Sequence, residues 1–174
     1  MKNKIKFILC LIVLALICLS GCQSGSVEAT EIAVFPVDSA AGILTKSNAQ
    51  TDREISNDGN GSVRLTATEP TTFRLYETGD LDIENARLIY QAKVRTDDVD
   101  GQVYLEMWCQ FDGRGEYFSR ALHAPISGTV DWTSQQTPFL LKRGENPDNI
   151  RLNLVVDGTG TAWIDDIRLV KSSF

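Results

Sequence analysis

The chain has 174 residues, with 17 Lys and Arg against 23 Asp and Glu, one histidine and four cysteines, for a net charge of −6. That acidity, without a clustered Lys/Arg stripe, argues against nucleic acid or an anionic bilayer surface as a partner. The single histidine, His123, rules out a His-based zinc centre, and there is no phosphate loop, Gly-x-Gly-x-x-Gly run or Gly-x-Ser-x-Gly nucleophile turn.

Lys2, Lys4 and Lys6 open the chain, and residues 7–19 are an unbroken apolar run of 13. A helix needs ~20 residues to cross the hydrocarbon core, so this run fits the apolar stretch of a secretory signal instead. Leu19-Ser20-Gly21-Cys22 follows and resembles the bacterial lipobox. The resemblance implies a cleaved signal peptide over 1–21, diacylglycerol on the Cys22 thiol and acylation of its new amino group. Two or three acyl chains, at roughly 0.8 kcal/mol per buried methylene, hold a protein at a membrane surface. Gln23, rather than an aspartate, is compatible with the outer membrane; in a cell without one, the expected place is the outer face of the cytoplasmic membrane. Cleavage leaves 153 residues with 14 Lys and Arg against 23 acids, a net −9. Cys10 and Cys18 depart with the signal, so Cys109 is the only free thiol, no intrachain disulfide is available, and stability must come from the core.

Residues 22–30 read as the lipidated cysteine and a polar tether. From 31 to 174 a single domain is expected, with no helical period and no internal repeat. Alternating segments predict strands around 31–37, 62–68, 71–77, 86–96, 102–111, 116–122, 133–141, 149–156 and 161–170, about nine in all. Asp112-Gly113-Arg114-Gly115 between two of them is a hairpin signal. The expected architecture is all-β, an antiparallel β-sandwich of jelly-roll type.

Three passages resemble carbohydrate-binding modules and galactose-binding-like jelly rolls. They are Asp58-Gly59-Asn60-Gly61-Ser62-Val63-Arg64-Leu65, then Ser127-Gly128-Thr129-Val130-Asp131-Trp132-Thr133 leading to Pro138-Phe139, and the closing Gly158-Thr159-Gly160-Thr161-Ala162-Trp163-Ile164-Asp165-Asp166-Ile167-Arg168-Leu169. Together they span about residues 55–170, and they imply the fold more firmly than any ligand.

The strand over 102–111 carries the candidate binding site. Period-two geometry sends Val103, Leu105, Met107 and Cys109 to one face and Tyr104, Glu106, Trp108 and Gln110 to the other. A sugar presents apolar C–H faces and a rim of hydroxyls, so it needs flat aromatics to stack on and carboxylate, amide or guanidinium groups to bond. Arg120 from 116–122 and Arg151 and Asn153 from 149–156 join the set if those strands are neighbours. In related modules one concave sheet face binds glycan. The alternative is that Tyr104 and Trp108 cover the sheet and Glu106 pairs with an arginine. Exposure of both aromatics in one groove favours the first reading; burial of both favours the second. Trp132, Trp163 and Cys109 are expected in the core, and His123 in a surface loop.

Asp165 and Asp166 sit mid-strand, where aspartate is disfavoured. Alternation places Asp165 with Trp163, Ile167 and Leu169, and an inward carboxylate must be paired or bind a metal. The resemblance implies a structural Ca2+ held by Asp165 with loop oxygens, Asp58 being the acidic candidate; a salt bridge or hydrogen bonds to turn amides are the alternative. No catalytic set emerges. The expected protein is a non-enzymatic, lipid-anchored envelope lipoprotein binding a polysaccharide or oligosaccharide. The alternative is a structural lipoprotein docking an envelope protein partner, with no saccharide affinity.

Overall fold

The computed structural model describes residues 29–174. The expected signal segment, Cys22 and residues 23–28 of the expected tether lie outside the described residues. The alternating segments form β1 (Ala29–Phe35), β2 (Ala49–Asp52), β3 (Ser62–Ala67), β4 (Thr71–Gly79), β5 (Ala86–Phe111), β6 (Gly115–Arg120), β7 (Ile126–Leu141) and β8 (Asn149–Ser172). A 3-10 turn at Ala40–Gly42, with Ser39 as its N-cap, precedes β2.

Two long strands build both layers of the sandwich. Residues 102–110 of β5 pair with 149–157 of β8, flanked by β6 on one side and β4 on the other. Residues 87–97 of β5 pair with 161–172 of β8, flanked by β7 on one side and by β3 and β1 on the other, with β2 beyond β3. All of these pairings are antiparallel. Both strands pass from one layer to the other at the same level, where the register slips between Asp97 and Asp100 and Gly101 lies opposite Gly158.

Nine expected strands therefore become eight. Residues 86–96 and 102–111 are one continuous strand, as are 149–156 and 161–170. β2 was not expected; its Ala-Gln-Thr-Asp sequence has no apolar alternation and is held as a strand by pairing with β3. β7 begins at Ile126 rather than 133, and β1 at Ala29 rather than 31.

The inner faces meet in one core that includes Phe73, Leu75, Leu88, Tyr90, Val94, Leu105, Met107, Leu152 and Leu154, each fully buried. Burial of each aliphatic or phenylalanine side chain contributes about 1.5–3 kcal/mol. Cys109 lies in this core, where burial pushes its thiol up to about 12, so it remains a protonated small hydrophobe. Two tryptophans depart from expectation. Trp132 is half-buried. Trp163 is buried but stands outside the apolar core, between the guanidinium groups of Arg64 and Arg95, each 5.9 Å from its ring centroid.

The cause is a bulge. Gln91 pairs with Arg168 and Lys93 with Asp165, so β8 spends three steps where β5 spends two, and Asp166 takes φ 50. The extra residue reverses the alternation. Asp165 stays on the side of Trp163, whereas Ile167 and Leu169 turn to the core. The expectation that all four share a face is therefore corrected. Residues 53–61, between β2 and β3, cover that side: Asn57 N–H reaches Asp165, and Trp163 Nε1 donates to Asp52 at 2.9 Å at the start of the segment.

Candidate functional site

The face of β4–β8–β5–β6 turned away from the core gathers the seven residues singled out in the sequence. The strands carrying them are direct neighbours, and the register sets them in rows. Asn153, Glu106 and Arg120 form one row; Arg151, Trp108 and Phe118 form the next; Asn149, Gln110 and Glu116 follow. Tyr104, opposite Val155, lies one row to the other side.

Glu106 is the centre, only 4% exposed. Its Oε1 accepts from Trp108 Nε1 at 2.7 Å and Asn153 Nδ2 at 3.0 Å, and its Oε2 accepts from Arg120 Nε at 2.6 Å. Burial pushes this carboxyl upward. The three donors and the Arg120 charge outweigh it and hold the group below the ordinary glutamate value. Glu106 is thus an ionised acceptor at neutral pH, poorly suited to donate a proton as a general acid.

Trp108 is half-buried, and its ring lies 5.0 Å from Phe118 in a tilted pair. The Arg151 guanidinium sits 5.5 Å from the Trp108 centroid and pairs with Glu116 at 2.7 Å. Arg120 lies 4.5 Å from the centroid of Phe118. Gln110 is exposed, whereas Tyr104 is buried at 7% exposure. The two aromatics of the sequence reading therefore divide, one partly open and one covered. Phe118, 51% exposed, was missed, although it alternates in phase with Arg120. Arg74 and Glu77 of β4, an ion pair opposite Asn153 and Arg151, were missed as well, because strand order across the sheet is not written in local pattern.

On the other layer, Asp38, Asp58 and Asp165 each bring a carboxylate oxygen within 4.8 Å of the others. Asp165 is 1% exposed and accepts from Asn57 N at 2.9 Å and Asp166 N at 2.8 Å. The hydrogen-bond alternative to a metal is thus present, whereas no Lys or Arg salt-bridges any of the three among the described residues. Burial raises the Asp165 pKa, the two amide bonds oppose it, and the nearby Asp58 and Asp38 charges add to the rise. Three carboxylates with no cation among them form a set that is able to hold a metal ion. Asp38 was missed: it arrives by loop closure, far in sequence from both partners.

No family model and no curated protein matches the chain. Solved structures do. The CBM22-1 xylan-binding domain of Xyn10C from Paenibacillus barcinonensis aligns with a TM-score of 0.60 at 14% identity, covering 86% of this chain and 99% of that one. A family 16 carbohydrate-binding module aligns at 0.56 and 13% identity over 80% of this chain and 99% of that one. TmCBM61, solved with β-1,4-galactotriose, aligns at 0.51 and 13% identity over 80% and 97%. At such identities the likeness establishes the fold: an all-β jelly-roll sandwich of the kind used by carbohydrate-binding modules.

Proposed function

We propose that this chain is a non-catalytic lipoprotein, lipidated at Cys22 and held at the cell envelope, whose β4–β8–β5–β6 face binds a polysaccharide or oligosaccharide. The observation that carries the reading is the Trp108–Phe118 pair, two partly open rings 5.0 Å apart beside the polar groups of Arg151, Asn153, Gln110 and Glu106. Rings provide a stacking floor, and the open Gln110 and half-buried Arg151 provide hydroxyl partners, the two needs of a sugar site. Solved jelly rolls of similar fold include a xylan-binding domain and a module in complex with β-1,4-galactotriose, which favours the same ligand class here.

Affinity electrophoresis or a glycan array against xylans, galactans and cell-wall polysaccharides tests this. Trp108→Ala is expected to weaken binding about ten- to thirtyfold, on the order of 1.4–2 kcal/mol, while Trp108→Phe retains most of it. Silence across the panel, or affinity unchanged in Trp108→Ala, defeats the reading. The runner-up is a structural or protein-docking lipoprotein. It draws support from the buried Tyr104, from Glu106 bonds spent within the face, and from Arg151 lying over Trp108. Stable co-purification with an envelope partner, together with no saccharide affinity, is its signature.

The reading includes a structural Ca2+ at Asp38, Asp58 and Asp165, where the ion would offset most of the charge of three crowded carboxylates and tie residues 53–61 to β8. At about a hundred times its Kd, Ca2+ is expected to add about 2.7 kcal/mol, raising Tm by about 5–10 °C. EDTA reverses the shift and Asp165→Ala abolishes it. Identical melting curves in Ca2+ and EDTA rule the ion out.

A further inference from the structure

A second groove, of about 370 Å³, opens where β6 approaches β7, beyond the Glu106 face. Phe111 is its buried floor, with Tyr117 edge-on at 6.0 Å and Phe139 at 6.3 Å between centroids. Tyr117 is 54% exposed and Leu140 57%, so the walls stay open to solvent. Tyr117 is open because β6 is an edge strand and Leu140 because β7 is another, each with its ladder partner in β5. The volume lies within the range of small-ligand clefts.

Its rim is cationic, although the chain as a whole carries −6. Arg114 lies 5.3 Å from the Phe111 centroid and spends one guanidinium nitrogen on Gly144 O at 2.8 Å. Lys142 enters no ion pair among the described residues. The one acid on the rim, Glu145, directs Oε2 to the Lys142 backbone N–H at 2.8 Å. A neutral sugar uses such cations only as hydrogen-bond donors to its hydroxyls and leaves their charge unmatched. A ring with an apolar C–H face and a carboxylate uses both: the face stacks on Tyr117 and Phe139, and the carboxylate meets Lys142 and Arg114. The geometry points to a second saccharide site here, selective for acidic sugars, that is, uronate-containing polysaccharide. It shares Phe118, one ring of the Trp108 pair, and otherwise uses different residues, so Trp108→Ala on one side and Tyr117→Ala on the other separate the two proposals.

Affinity electrophoresis of the whole mature chain in polygalacturonate, with neutral galactan alongside, is the test. Retardation by polygalacturonate is expected, weakening at least tenfold between 20 and 300 mM salt because surface charges are screened over about 10 Å at 0.1 M. Tyr117→Ala and Lys142→Glu, both on the open rim, are each expected to lose binding more than tenfold, while Trp108→Ala keeps it. Thermal melting of each variant confirms that it is folded. No retardation, equal retardation in galactan, or retardation that survives both groove variants overturns the proposal. So does concentration-dependent self-association abolished by Tyr117→Ala, which would give the groove to a second copy of the chain.

Discussion

Gly158→Ala will destabilise the domain by about 3–5 kcal/mol, because an added Cβ there makes the closest contact of any glycine among the described residues. Gly158 has φ +151, and a Cβ there falls 1.9 Å from the Asp100 carbonyl oxygen; across the ladder, Gly101 at φ +121 places one 2.2 Å from the Asp157 oxygen. These obstacles are backbone, so no side chain can swing aside. Relief requires β5 and β8 to separate where both cross between layers, the point on which each layer's register depends. Gly113→Ala is the control. It has φ +66 at the β5–β6 hairpin tip with nothing within 4 Å, so it bears only the left-handed backbone penalty of about 1–2 kcal/mol. Urea midpoints compare the two. A Gly158→Ala loss no greater than that of Gly113→Ala means that the crossover is not packed this closely.

The same crossover marks how far local pattern reaches. Residues 102–111 and 149–156 were legible because one face of each strand packs into the core, which sets an apolar residue at every second position. What joins them to 86–96 and 161–170 was not, because Asp97-Asp98 and Gly158-Thr159-Gly160 carry ordinary turn chemistry, and the strands run on through them by a register slip with Asp98 at φ 50. Parity failed at Asp166: one inserted residue moved Trp163 off the core side, and an inserted residue leaves no trace in composition. The seven residues of the Glu106 face were found as separate alternating sets, yet their meeting depends on strand order, a non-local property. Exposure was harder still. Tyr117 and Phe118 are consecutive in β6 and point to opposite sides, and both are open because β6 is an edge.

Glu106→Ala will cost about 3–4 kcal/mol and Glu106→Gln about half of that, and both differences narrow as pH falls. Alanine strands the Trp108 indole N–H and the Asn153 amide, both aimed at Oε1, at about 1–3 kcal/mol for each unsatisfied buried donor. Glutamine still offers an oxygen to both and loses only the contact with Arg120, whose side chain is 36% exposed and regains water, so the buried-pair penalty is discounted toward that of a surface pair. The sign of the pH effect follows from the direction of the shift. Burial raises the Glu106 pKa, but the Asn153, Trp108 and Arg120 donors bring it below the unfolded value, so its stabilisation is complete above about pH 4.5 and fades as pH falls through the lower folded value. Wild type and Glu106→Gln should therefore differ fully at pH 7 and converge toward pH 3, while Glu106→Ala stays less stable than either. Urea midpoints at the two pH values decide it. A constant gap between wild type and glutamine would mean that the Arg120 pair contributes nothing and that Glu106 serves only to hold Trp108 and Asn153 in place. The glycan reading then has a rigid Trp108 to work with in the glutamine variant: its ring stays seated, so saccharide affinity should survive Glu106→Gln and fall in Glu106→Ala.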